Sequence, residues 1–321
     1  MRRHKIQTPL LMVLLVAVLA VFGLAACGGD DDSSSSSSQG SSSSSDQPGK
    51  GKPAVTLGTK DFTEEFVLGE LYKQALEAKG YKVTLKKNIG STEIIDKALT
   101  SNQIDAYPEY TGVSAAVTFG KDKLYKSPEE TAADVKSLYE ERGQVVSSLT
   151  PFQDVDAIAT KKEFAEKNSL TGLEDLKKLS SFSLGARPEF KSRFTGLKGM
   201  EQVYGIKNAK FKQLALGLQY KALDKGDVDS ANIFSTDAQL ASGKYTVLKD
   251  PEGVFGFQNV YFVINKDKYD ALGGAEFFKV IDDVSKLLTN DAMISMNKAV
   301  ALDKQDEAEV ARSFLEANQL L

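Results

Sequence analysis

Ile104-Asp-Ala-Tyr-Pro-Glu-Tyr-Thr-Gly112 decides the fold. A helical pattern from Thr92 to about Asn102 leads into it. The stretch then reads as a strand that stops abruptly at Pro108, because proline cannot donate to a ladder. Two tyrosines, a hydroxyl and a glycine gather where the strand ends. In open α/β sheets, ligands bind outside the carboxyl ends of the strands.

A weaker copy follows in Val228-Asp-Ser-Ala-Asn-Ile-Phe-Ser-Thr-Asp237. Lys97-Ala-Leu-Thr-Ser-Asn-Gln-Ile-Asp105 lies over Lys221-Ala-Leu-Asp-Lys-Gly-Asp-Val-Asp229, which sets Tyr110 over Phe234 and Thr111 over Ser235. Either the two units are structurally equivalent and face each other across a cleft, or helix–turn–strand units have converged on similar sequences.

Outward from these copies the chain alternates strands and helices. Val55–Thr59 reads as a strand; a helix follows, capped by Asp61 or Thr63 with Glu64 in the capping-box position after Asp61, and stopped at Gly80. Tyr81–Lys87 alternates as a strand. Ser127-Pro-Glu-Glu130 opens a helix running to about Arg142, with serine at the N-cap and proline at the first position. Strands are expected at 144–149, 155–160, 182–186, 228–234, 245–249 and 257–265, and helices at 198–204, 216–225 and 236–242. Thr171-Gly-Leu-Glu174 repeats the capping box, and the chain is helical from Gly274 onward. Such alternation implies largely parallel sheets covered on both faces. Crossovers near 150–157 and 252–262 give two α/β lobes. The first, discontinuous lobe comprises 54–152 and 258–321, and the second 153–257.

The N-terminus stands apart. Arg2, Arg3 and Lys5 precede an apolar run from Leu10 to Ala26, and Leu24-Ala-Ala-Cys27 looks like a lipoprotein processing site. Residues 1–26 read as a signal peptide, Cys27 as the lipidated residue holding the protein to the outer face of the membrane, and 27–53 as a Ser/Gly-rich flexible tether. A plain membrane anchor is the competing reading of the apolar run. Processing removes Arg2, Arg3 and Lys5, which takes the formal charge from −4 to −7, and also removes His4, the only histidine. With one cysteine and no further histidine, Ser-His-Asp and Cys-His catalysis and His/Cys zinc sites are excluded. The acidic balance argues against nucleic acid.

With these residues in hand, the chain resembles the substrate-binding proteins of ABC importers for osmoprotectants: glycine betaine, choline, carnitine and proline betaine. The resemblance is carried by Gly58-Thr-Lys-Asp-Phe-Thr-Glu64, the opening stretch, Pro188-Glu-Phe190 with Arg193, Tyr204-Gly205, Tyr220-Lys-Ala-Leu223 and Phe234-Ser-Thr-Asp237. It implies a two-lobed periplasmic-binding-protein fold (type II-like) that closes on its ligand and docks on a membrane permease. It also implies a monomer with no cofactor and no enzymatic activity. Aromatic rings would hold the quaternary ammonium, which cannot donate a hydrogen bond, through cation–π attraction.

The motif positions are Lys60, Tyr107, Tyr110 and Thr111 on the first lobe and Arg193, Phe234, Thr236 and Asp237 on the second. Gln258 and Asn259 join them from the return crossover. Each has an ordinary alternative. Lys60 is also a plain helix-start lysine. One of Tyr107 and Tyr110 can be core. Thr111 can cap the turn. Arg187 rivals Arg193 for a ligand carboxylate. Asp237 suits the first turn of a helix, where the dipole favours it, and Gln258 and Asn259 suit a hinge. Glu64-Glu65 reads as a helix-start pair. The chain departs from the family's fuller cages at Phe234, at Gln258 and at Asp154-Val-Asp156, where carboxylates stand in place of a ring. These departures leave open a binding protein for another small solute, such as an amino acid or organic anion.

Overall fold

The computed structural model describes residues 47–321. The signal segment, Cys27 and most of the tether lie outside the described residues. The last residues assigned to the tether are docked rather than free. Residues 47–52 form a turn whose Gly49 amide donates to the Lys79 carbonyl at 2.9 Å.

Among the described residues, ten strands form two five-stranded sheets. The first contains β1 (Val55–Gly58), β2 (Val83–Lys86), β3 (Ala106–Tyr110), β4 (Gln144–Val146) and β10 (Val260–Asn265), in the order β2-β1-β3-β10-β4. The second contains β5 (Asp156–Lys161), β6 (Phe182–Ala186), β7 (Ala209–Gln213), β8 (Ser230–Phe234) and β9 (Tyr245–Val247), in the order β7-β6-β8-β5-β9. In each sheet three neighbouring strands run parallel and the fourth, β10 or β5, is antiparallel to both its neighbours. These reversed strands are the ones fed directly from the other sheet. The chain enters them without the helical crossover that a parallel pairing requires.

The two sheets share one plan, and the copies noted in the sequence occupy the same place in it. Asp105 Oδ2 accepts from the Thr56 amide at 2.7 Å, and Asp229 Oδ2 accepts from the Ser183 amide at 2.7 Å. Leu57 pairs with Ala106 as Leu184 pairs with Ser230. Each aspartate thus ties the entrance of the central strand to its parallel neighbour. β7 was not expected. Its Ala-Lys-Phe-Lys-Gln pattern is half exposed on a sheet edge, where lysines discourage further pairing.

The helix Thr63–Ala78 lies under the first sheet and fills the core with Val67, Leu68, Leu71 and Tyr72, which pack among residues such as Phe262 and Phe277. Its start differs from expectation. Phe62, in extended conformation, takes the N-cap position without a side-chain cap, and Glu65 reaches back to the Lys60 amide at 3.1 Å. The capping box at Thr171 is likewise closed by Asp175 rather than Glu174. Ser127 behaves as predicted: its hydroxyl accepts from the Glu130 amide while Glu130 accepts from the Lys126 amide. Among the described residues no helix is long and apolar enough to cross a membrane.

Two segments connect the sheets, 147–155 and 248–259, and they meet at the antiparallel bridge between Gln153 and Asn259. The end of the opening stretch is bolted to the second of them. Thr111 donates from its amide to Asn259 and from its hydroxyl to Phe257, and the Gly112 amide donates to Phe257. A Cβ on Gly112 would come within 2.7 Å of the Phe257 oxygen and the Gln258 side chain, so only glycine admits this approach.

Candidate functional site

The ends of β3 and β8 face each other with the helix start at 60–63 between them. Phe62 stacks on Phe234, with centroids 5.4 Å apart and planes 19° apart, and lies 6.0 Å from the Tyr110 ring. The three rings belong to both halves of the molecule and line a cavity of ≈ 40 Å³, room for only a few waters.

Three cations border this cavity, and each is paired. The Lys60 ammonium is buried against Glu109 and stands 4.5 Å over the Tyr110 ring. The Arg187 guanidinium donates to both oxygens of Asp156 at 2.8 and 2.9 Å and to Asn232 at 2.8 Å, and lies 5.1 Å from the Phe234 centroid. Burial works against its charge, yet Asp156 raises its pKa above the ordinary arginine value. Arg193 reaches across to Glu93 with bonds of 3.2 and 2.8 Å. Partial burial pushes the Glu93 carboxyl up, but the Arg193 hydrogen bond and charge overcome it and hold the group down at about 2.

Behind the rings sits a polar junction. Glu64 accepts from the Tyr110 hydroxyl at 2.9 Å and from Asn297 at 2.8 Å. Thr236 Oγ1 lies 2.7 Å from Glu64 Oε2 and 2.8 Å from Asp154 Oδ1. Burial is the main cause that raises the pKa of both carboxyls, and for Asp154 the Glu64 charge adds to it. A hydroxyl has one hydrogen and cannot donate to both. One of the two acids therefore holds a proton and donates back.

Of the residues nominated from sequence, Lys60, Tyr110, Arg193 and Phe234 line the ring cavity, while Thr236 and Asp237 line the space beyond Phe234. Asp237 accepts there from the Tyr220 hydroxyl and the Phe234 amide, both at 2.9 Å. Four lie elsewhere. Tyr107 is core: strand alternation turns it to the opposite sheet face from Tyr110, into a cluster with Tyr139 and Tyr261. Thr111 is committed to the crossover carbonyl. Gln258 accepts from the Val113 amide and donates to Phe255, and Asn259 donates to Thr150 and Phe152, so both fasten the crossover. Phe62, Glu64 and Asn297 went unnominated. Phe62 had a signal: it is an aromatic beside Lys60 that stands outside the periodic face of the following helix. Glu64 looked like helix-start chemistry, and Asn297 carries no local mark because only the fold brings it here.

The family model for the substrate-binding domain of the ABC-type glycine betaine transport system matches residues 53–317. The chain belongs to that family. Its curated relatives include the glycine-betaine-binding protein of Pseudomonas aeruginosa, 31% identical over 83% of this chain and 88% of its own. The glycine betaine-binding protein YehZ of Escherichia coli is 28% identical over 84% and 92%. A solved glycine betaine/carnitine/choline ABC transporter structure superposes with a TM-score of 0.67 at 22% identity, covering 83% of this chain and 99% of that one. This likeness shows the fold: two α/β lobes, as in periplasmic binding proteins. The family is one of transport substrate-binding proteins.

Proposed function

We propose that the protein is an extracytoplasmic receptor that captures glycine betaine, choline or a related quaternary ammonium solute between its lobes and delivers it to an ABC permease. The ring wall of Phe62, Tyr110 and Phe234 carries this reading, because faces supplied by both halves surround a cation only when the halves are together. The ligand then favours closure through the contacts that closure completes. The stacked Phe62 and Phe234 must part to admit a solute of betaine size, since the present cavity is ≈ 40 Å³. In this reading 54–152 with 258–321 and 153–257 are the moving lobes, residues 1–26 are a signal peptide, and lipid on Cys27 tethers a monomer to the membrane through the Ser/Gly-rich segment. Capture and delivery make and break no bond. The prior pairing of every cation at the cavity argues against an organic-anion ligand.

Isothermal titration of the purified protein with glycine betaine, choline, carnitine and proline betaine tests the ligand class. Heat with at least one is expected, and none with any of the four overturns the class. Tyr110→Ala is expected to weaken binding by about tenfold or more, the scale of a desolvated cation–π contact.

A further inference from the structure

Three buried side chains, Asp154, Thr236 and Glu64, form a chain between the two halves. Asp154 and Thr236 belong together. The Thr236 amide donates to Asp154 Oδ1 at 3.2 Å. Beside it, the Ser235 amide donates to the Val155 carbonyl and the Ser235 hydroxyl accepts from the Val155 amide. Glu64 comes from the other half, where the Tyr110 hydroxyl and the Asn297 amide nitrogen fix it. The Thr236 hydroxyl joins the two sides, 2.7 Å from Glu64 Oε2 and 2.8 Å from Asp154 Oδ1. Its one hydrogen serves one carboxylate only, so the chain holds a second proton. Glu64 already accepts from two other donors, which favours its ionised form, and the Thr236 hydrogen completes three. The added proton therefore sits on Asp154, which donates to Thr236 Oγ1.

We propose that closure of the lobes takes up a single proton into this chain, so that falling pH favours the closed, solute-holding form and rising pH favours release. The inference rests on the lobe division and the solute capture proposed above. Opening parts Thr236 from Glu64 and admits water to both carboxyls, and each then ionises by itself at neutral pH. Closure brings both to one hydroxyl, out of contact with solvent. Bulk water supplies the missing proton: an O–H bond forms on Asp154 and no bond of the protein breaks. Burial raises both carboxyls in the closed form, and the Glu64 charge adds to the effect at Asp154. The surrounding groups keep their own partners. On the first half, Glu65 accepts from the Lys60 amide, the Lys60 ammonium is held by Glu109, and the exposed Lys304 donates to the Ala301 carbonyl. On the second, Asp237 accepts from Tyr220 and the Phe234 amide, and Asp156 holds Arg187. Each of these bonds lies within one half, so opening leaves it intact. The Glu93–Arg193 pair does cross between the halves, but Glu93 is held down at about 2 and moves no proton near neutral pH.

Calorimetry of glycine betaine and choline with the purified protein counts the proton. Phosphate and Tris differ in their heat of ionisation, so the difference in binding heat between the two buffers gives the uptake. About one proton per solute is expected near neutral pH, with affinity falling up to about tenfold per pH unit between about pH 6 and about pH 8. Asp154→Asn keeps a donor to Thr236 without a titrating group, and in it the uptake and the pH dependence are expected to vanish; a thermal melt establishes that it folds. Glu93→Gln removes the pair that crosses the cleft without titrating in this range, and its uptake is expected to match the parent. Binding without uptake in the parent, or uptake that persists in Asp154→Asn, overturns the coupling while the proposed function stands. Small-angle X-ray scattering needs no solute: the parent is expected to contract between about pH 8 and about pH 5, and Asp154→Asn is not. Should neither solute bind, the quaternary-ammonium reading falls, and scattering alone decides the coupling, with equal radii of gyration for the parent at both pH values overturning it.

Discussion

The β3 and β8 halves of the cleft are built alike and finished differently. Each central strand is pinned by an aspartate to the second residue of its parallel neighbour at the same distance, and each ends in an aromatic ring. Beyond that point they diverge. Tyr110 sends its hydroxyl to Glu64 and sits beside the Lys60–Glu109 pair. Phe234 has no hydroxyl and lies against Arg187, which Asp156 and Asn232 hold. The backbone plan is shared because it is set by ladder hydrogen bonds and a partly buried aspartate acceptor, which depend little on neighbours. The site chemistry differs because each ring end packs against segments outside the repeat. These are the helix start at 60–65 on one side and the 187–193 turn on the other.

The sharpest way to break this comparison is to remove the cation on one side. Arg187→Ala leaves Asp156 and Asn232 buried without their guanidinium, and is expected to cost about 3–5 kcal/mol by urea denaturation. A loss below about 1 kcal/mol would show that the second half tolerates an open pair and that Arg187 is not part of its frame. The shared device is tested next. Asp105→Ala and Asp229→Ala each strip a charged acceptor from a strand amide, and each is expected to cost about 2 kcal/mol. Equal losses support structural equivalence of the two copies, whereas a loss in only one would make the repeat a coincidence of sequence.

The backbone part of this comparison was legible beforehand. Aligning Asp105 with Asp229 and Tyr110 with Phe234 needed only local order, and the equivalent strands lie where the alignment put them. The side-chain part was legible where one segment decides it, as at Tyr110 and Phe234. It was not where tertiary packing decides. Tyr107 and Tyr110 look interchangeable in a list of aromatics, and only strand alternation together with the placement of Tyr139 and Tyr261 assigns one to the core. Gln258 and Asn259 were correctly located in the crossover, but their amides are consumed by Val113, Phe255, Thr150 and Phe152. Asn297 comes from a helix far along the chain and meets Glu64 only because the fold closes there.

The first half holds a further asymmetry, a carboxyl kept neutral by burial. Glu65 is raised to about 8, chiefly by burial, with the Lys60 charge opposing and the Glu109 and Glu64 charges reinforcing. A carboxyl raised above its unfolded value contributes stability that is complete below about 4.5 and is lost as pH rises towards about 8. Folding free energy is expected to fall by about 1.4 kcal/mol per pH unit across that window from this group. Glu65→Gln should flatten the profile by that amount, and a variant with an unchanged slope would place the ionisation elsewhere.

The smallest effect concerns how the halves hold each other. Glu93 and Arg193 form a bidentate pair across the cleft, with the Glu93 side chain 46% exposed. Its carboxyl is held down at about 2, so its contribution is present above the ordinary carboxylate range and lost only as pH falls through about 2. Solvent screening limits such a pair to about 1 kcal/mol or less. Glu93→Gln is therefore expected to weaken ligand affinity by no more than about fivefold, chiefly through faster release, because the pair exists only when the halves are together. The same exposure makes the pair sensitive to salt, so the difference between parent and variant should shrink as ionic strength rises towards about 1 M. A variant whose release rate matches the parent at low salt would remove Glu93–Arg193 from the closing contacts and leave that work to the buried Glu64–Thr236 junction.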